Sequence, residues 1–214
     1  RKELLKKSAI RHAEYYGMDE VQDALYADSA NKKIFTDLIS IIGSDANIKM
    51  AYRNLKSNKG SNTPGVDGKT FKDLAEMSEE ALVRCVRDKI LNYQPKAVRR
   101  VYIPKPNGKM RPLGIPTVID RIVQQSVLQV MEPICEAKFY RHSYGFRPNR
   151  STKNAVAVCY KLAQVDGFHY VVDVDIKGFF DNVDHGKLLK QIWTLGIRDK
   201  RLISLIGKML KAPI

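Results

Sequence analysis

The sequence predicts an α+β fold. Three observations carry that expectation: helix-period apolar patterns recur through the first ninety residues, an Asn-Gly turn separates two short apolar runs near residue 107, and a mainly apolar run from Tyr170 to Ile176 is interrupted only by Asp173 and Asp175. The 214 residues are 44% hydrophobic, enough for a packed core, and carry a formal net charge of +14. A charge of that size points to a polyanionic partner, either nucleic acid or an anionic membrane surface. No apolar run reaches membrane-spanning length, and the basic start Arg1–Lys7 lacks the apolar core of a secretion signal. The expected location is therefore the cytoplasm. The chain begins with Arg, not Met, so a piece of a longer protein is expected.

The elements follow in order. Lys2 to Tyr16 has helical spacing and stops at Gly17; Asn31 to Ile42 places Ile34, Leu38, Ile41 and Ile42 on one face. Asp45 is a candidate cap for a helix over Ala46–Lys56. The stretch Ser57–Gly68 is dense in turn residues and reads as a loop. Ser78 opens a helix to about Leu91, with Glu79 and Glu80 in its first turn, where the helix dipole favours anions. Val101–Pro104 and Met110–Ile115 form a hairpin around Lys105-Pro106-Asn107-Gly108-Lys109, and their prolines suit edge strands. Thr117 with Asp120 starts a helix to about Met131, and Ser151 caps another to about Val165. A strand over Tyr170–Ile176 and helices near His185–Trp193 and Arg198–Leu210 complete the chain.

Charge is uneven. Lys89–Ile119 contains no acid but seven Lys or Arg, and Ala137–Val165 contains no acid but six, with Phe139, Tyr140, Tyr144 and Phe146 interleaved. Cations neutralise phosphates and aromatic rings stack on bases. The arginines are expected on nucleic acid; for the aromatics, core packing stands slightly ahead of stacking. Cys85, Cys135 and Cys159 are far apart and away from the four histidines, so reduced, packed thiols are expected and a zinc site is not.

Four blocks then carry a family resemblance: Gly60-Ser-Asn-Thr-Pro-Gly-Val-Asp-Gly68, Arg100-Val-Tyr-Ile-Pro-Lys-Pro-Asn-Gly-Lys-Met-Arg-Pro-Leu-Gly-Ile-Pro116, Ser143-Tyr-Gly-Phe-Arg-Pro-Asn-Arg-Ser151 and Asp173-Val-Asp-Ile-Lys-Gly-Phe-Phe-Asp-Asn-Val-Asp-His185. In this order they resemble bacterial group II intron-encoded reverse transcriptases (maturases). The resemblance implies a right-hand polymerase fold: fingers over 1–150, with an N-terminal helical extension and a template loop near 57–69, then the first part of the palm over 151–214. It implies that Asp175 is a catalytic, Mg²⁺-binding carboxylate, assisted by the backbone carbonyl of Ile176. Lys105 and Arg111 match positions that grip the incoming dNTP, and Phe180 matches the aromatic gate against a ribose 2′-OH. Lys59, Arg99, Arg100, Arg147 and Arg150 become candidate RNA or template contacts; for Arg147 and Arg150 loop-anchoring salt bridges are equally weighted. Asp173 lies on the same strand face as Asp175 by period-two alternation and is expected in a supporting salt-bridge role, not metal binding; Phe179 is expected in the core.

The implied partners are intron RNA, template, an RNA/DNA primer duplex and dNTP, and a truncated palm would leave apolar surface that admits a homodimer. The chain departs from the family in lacking the aromatic-Ala-Asp-Asp turn: it holds no Asp-Asp pair at all. The expectation is thus an RNA-directed DNA polymerase whose active site this chain half completes. Two alternatives stay open: a retron, diversity-generating or CRISPR-associated reverse transcriptase, and a non-catalytic RNA-binding scaffold for splicing.

Overall fold

In the computed structural model, which describes residues 11–104, 106 and 108–213, the chain is organised around one long helix. Residues 11–16 are helical and Gly17, at φ 64°, turns the backbone into α1 (Met18–Ala30). There follow α2 (Ile39–Ile42), α3 (Asp45–Lys56), a 3₁₀ turn at Lys59–Asn62, α4 (Phe71–Leu74), α5 (Glu79–Leu91), β1 (Arg99–Pro104), β2 (Met110–Ile115), α6 (Val118–Glu136), α7 (Thr152–Gln164), a 3₁₀ turn at Phe179–Asn182, α8 (His185–Thr194) and α9 (Lys200–Leu210). The α+β class is borne out as a helix-rich body with a two-stranded antiparallel sheet.

Helix α6 is the axis because it is apolar on most of its surface: Val118, Ile122, Val123, Val127, Val130 and Ile134 are buried. It packs chiefly against α1 and α3. Each buried aliphatic side chain contributes about 1.5–3 kcal/mol of transfer free energy. A polar ladder fixes the register of α3 on α6. Asn47 Nδ2 donates to Ile42 O at 2.9 Å and to Ser126 O at 3.0 Å, and Gln129 Nε2 donates to Asn47 Oδ1 at 2.8 Å. Amides buried this way hold one alignment, because slippage would leave them unpaired. One hydrophobic cluster joins Leu25, Ile42, Ile48 and Val86 to Ile192, Leu202, Leu205 and Ile206, so α8 and α9 share the core of the N-terminal helices.

Most helix starts follow the sequence. Ser78, Thr117 and Ser151 accept from the backbone N–H three residues on, as N-caps do. The cap of α3 is Ser44, one residue before the expected Asp45, and α6 runs on through Pro133 to Glu136, beyond the expected end at Met131. Within the expected start Lys2–Tyr16, residues 2–10 lie outside the described residues.

Two expectations are corrected. Asn31–Ile42 is not one helix; only Ile39–Ile42 is helical, and Ile34 is exposed. Tertiary bonds win over periodicity there: Phe35 N donates to Gly196 O and Arg198 N to Phe35 O, while Asp199 Oδ2 accepts from both Leu38 N and Ile39 N. The segment Tyr170–Ile176 is not a strand. It runs irregular and exposed, with Tyr170 and Val171 each 95% accessible. An apolar strand of this type is stable only between neighbours covering both faces, and no described strand pairs with it. The period-two argument for Asp173 falls with the strand, and no described residue forms an ion pair with Asp173.

Candidate nucleic-acid and nucleotide site

The β1–β2 hairpin forms because Val101, Tyr102 and Ile103 pair with Leu113, Pro112 and Arg111 in an antiparallel ladder, closed beside Gly108 at φ 76°. Pro112 and Pro104 are tolerated because each strand has one open edge. Arg111 is exposed on β2 opposite Ile103. Lys105, the other candidate triphosphate contact, lies outside the described residues.

The loop of the first block sits on the N-terminus of α6 and is held there by two arginines. Arg121 Nη1 donates to Gly60 O at 2.9 Å and Nη2 to Thr63 O at 2.6 Å; Arg99 Nε donates to Pro64 O at 3.0 Å. Arg121 also lies over the Phe71 ring, 5.8 Å from its centroid. Gly65 abuts Thr117 so closely that a Cβ there would stand 2.7 Å from Thr117 Cα. The loop is thus docked, and it presents Lys59 to solvent. Arg121 was not singled out by its sequence context: a lone Arg in an amphipathic helix carries no signal until the carbonyls it meets are known. Arg100, beside Arg99 on β1, is exposed.

The third block is a loop built around Arg147. Its Nε and Nη2 form a bidentate pair with Glu136 at 2.9 and 2.6 Å, and Nη1 donates to the carbonyls of Tyr140 and Ser143. The carboxylate of Glu136 raises the Arg147 pKa. All three nitrogens are engaged, which gives Arg147 the anchoring role. Arg150 is half-buried, donates to Arg141 O at 2.7 Å and lies over the Tyr144 ring. The loop's aromatics are not core residues, contrary to the favoured expectation: Phe139, Tyr140 and Phe146 are exposed, and Phe146 holds a positive φ of 57°. A left-handed backbone at a fully exposed aromatic residue is a local cost, and it keeps the ring outside the fold.

In the fourth block Asp175, Ile176 and Phe180 are all exposed, Phe180 at 84%. Phe179 is also exposed rather than buried in the core, and its ring meets that of Phe180 edge to face at 5.6 Å. A carboxylate beside a free backbone carbonyl is the right donor chemistry for Mg²⁺, which takes one or two carboxylates and completes its shell with water and phosphate oxygens. Among the described residues no three or more His, Cys, Asp or Glu side chains gather. Asp175 therefore fits as one contributor to a metal site, not as a whole site. Of the thiols, Cys85 and Cys159 are exposed, against the expectation of packing; Cys135 is half-buried against the core, and desolvation pushes its thiol up to about 11. No described helix is long and apolar enough to cross a membrane.

With this arrangement in view, the comparisons with known proteins are direct. The family described as reverse transcriptase (RNA-dependent DNA polymerase) matches residues 103–212, which include the end of β1, all of β2 and the exposed aspartate block. The chain belongs to the reverse transcriptase family, and its relatives include a group II intron-encoded protein. It is 42% identical over 164 residues to the group II intron-encoded protein LtrA of Lactococcus lactis subsp. cremoris, a match covering 76% of this chain and 26% of LtrA. It is 44% identical over 168 residues to protein YkfC of Escherichia coli (strain K12), covering 76% of this chain and 43% of YkfC. Nuclear intron maturase 2, mitochondrial, of Arabidopsis thaliana is 32% identical over 95 residues, 44% of this chain and 12% of that protein. The chain thus spans less than half the length of these relatives.

Proposed function

We propose that this chain supplies the fingers (1–150) and the first part of the palm (151–214) of an RNA-directed DNA polymerase of group II intron type, which also binds intron RNA as a maturase. The division is functional; the hydrophobic core runs across it. One observation carries the reading: in a chain of this family, the Asp175–Phe180 segment is presented to solvent instead of being packed away. In the proposed reaction a primer 3′-oxygen attacks the α-phosphorus of a dNTP in line, the new O–P bond forms and pyrophosphate leaves. Lys105 and Arg111 would hold the triphosphate, Arg as a planar fork and Lys as a point charge. Phe180 would exclude a 2′-hydroxyl. Asp175 and the Ile176 carbonyl would hold Mg²⁺, whose chemistry there is stabilisation of charge on the attacking and leaving oxygens. Lys59, Arg100 and Arg150 would face RNA, with Arg99 and Arg147 fixing the loops that present them. The bacterial relatives support a bacterial cytoplasmic setting, and the exposed apolar run from Tyr170 to Ile176 supports a homodimer.

A second reading, an RNA-binding scaffold without catalysis, is favoured by the absence of a clustered metal-ligand set among the described residues. Mg²⁺-dependent primer extension on an RNA template separates the two. The assay uses this chain beside the longest natural protein that contains it, each with and without Asp175→Asn. The polymerase reading expects synthesis by the longer wild-type protein, its loss in Asp175→Asn, and RNA affinity retained in both. Unchanged synthesis by Asp175→Asn would remove Asp175 from the site, and retained binding with no synthesis by any form would leave the scaffold.

A further inference from the structure

We infer that the outer face of α3 is a binding track for single-stranded RNA that leads into the Lys59 loop, an inference that rests on the RNA-binding reading above. Lys49, Arg53 and Lys56 lie at i, i+4 and i+7, so they share one face of α3, spanning about 11 Å of helix axis. The opposite face, with Asn47, Ile48, Met50 and Ala51, is buried in the core. Lys59 follows three residues after Lys56 on the adjoining 3₁₀ turn, so the row of cations continues from the helix into the docked loop.

These cations are held in place rather than splayed. Arg53 lies over the rings of Tyr15 and Tyr16, 4.8 and 5.9 Å from their centroids, and Lys56 lies 5.5 Å from the Tyr52 centroid. Lys49 pairs with Glu79 at 2.5 Å. Among the described residues no carboxylate lies within ion-pair distance of Arg53, Lys56 or Lys59. Lys49 is neutralised by Glu79, and the three cations that follow it, Arg53, Lys56 and Lys59, are open to an external anion. The α3 cations line a cleft of about 440 Å³, together with Tyr16, Tyr52, apolar side chains such as Leu74 and Met77, and the Glu79 that pairs with Lys49. Phosphates spaced along a strand match the cations, and an unstacked base matches a cleft lined by aromatic and apolar side chains. A duplex, whose bases are already stacked and paired, has no use for the cleft; single-stranded RNA uses both parts.

The test measures binding of a fluorescein-labelled, unstructured single-stranded RNA to the 214-residue chain across a salt series. Wild type is compared with Arg53→Glu/Lys56→Glu and with the charge-keeping pair Arg53→Lys/Lys56→Arg. Both positions are exposed, and the thermal melt of each variant checks the fold. The track predicts about a tenfold or greater loss of affinity in the double Glu variant at low salt. Its log–log salt slope should shrink by about 1.4, two phosphate contacts on a single strand. The charge-keeping pair should retain wild-type slope. If wild-type binding is salt-steep and the double Glu variant matches it in both affinity and slope, the α3 track is wrong while the RNA-binding reading stands. If wild-type binding is itself flat in salt, the RNA-binding reading fails and the track with it. Equal loss of a blunt duplex probe would overturn the single-strand assignment.

Discussion

At the scale of single residues, the arginines divide by what their nitrogens already touch. Arg99, Arg121 and Arg147 are engaged with carbonyls or a carboxylate, whereas Arg111 and Arg100 stand exposed. Both groups read alike as letters in a basic stretch. Sequence alone left Arg147 balanced between template and anchor because its partners, Glu136 and the Tyr140 and Ser143 carbonyls, meet it only after the loop has closed. The block Asp175–Phe180 is the reverse case: the motif was legible, but the strand around it was not, since a strand depends on neighbours that no local pattern supplies. Phe180 is free of the core, so Phe180→Ala should leave the thermal midpoint of this chain nearly unchanged. In the longer protein the same change should ease ribonucleotide incorporation. Competition of dNTP with rNTP in primer extension measures it, and unchanged discrimination would release Phe180 from the gate role.

At the scale of elements, caps and turns were the most readable features and long-range docking the least. Ser78, Thr117 and Ser151 mark their helices because the capping hydroxyl and the N–H it serves are three residues apart. Helix α1 went unpredicted: its apolar residues are sparse and it becomes a helix of the core only through α6. Short α4, capped reciprocally by Thr70 and Asp73, also escaped, although that Thr-x-x-Asp spacing was available in the sequence. The loop before it was predicted as a loop, but not that Gly65 is pressed against the Thr117 backbone. Gly65→Ala should lift the loop off α6 at a cost of about 1–3 kcal/mol, since backbone cannot yield as a side-chain tip can. Hydrogen exchange should then quicken at the 59–68 amides while those of α6 stay protected. Unchanged protection of the loop would show that its docking does not depend on this contact.

Over the whole molecule, stability is tied to pH through the far end of α6. Partial desolvation, and then the neighbouring Glu136 carboxylate, raises the pKa of the exposed Glu132 above its ordinary 4.5. The folded state therefore holds this proton more tightly than the unfolded chain does. The resulting stabilisation is complete below about pH 4.5 and is lost as pH rises through the folded-state value. Glu132→Gln should raise stability at neutral pH relative to wild type and shrink that gain toward pH 4.5; urea unfolding at the two pH values checks the sign.

The stitching of Phe35, Leu38 and Ile39 to Gly196 and Asp199 bears on how the chain comes into being. The hydrogen bond from Leu38 N to Asp199 closes a span of 161 residues. During synthesis the first helices leave the ribosome long before their C-terminal partners exist, and closing so wide a loop is entropically late. The short turn of α2 must wait with its leading amides unserved until Asp199 arrives. On a nascent chain of this protein these N-terminal amides have no partner until the start of α9 has been made, so the N-terminal helices complete their docking only then.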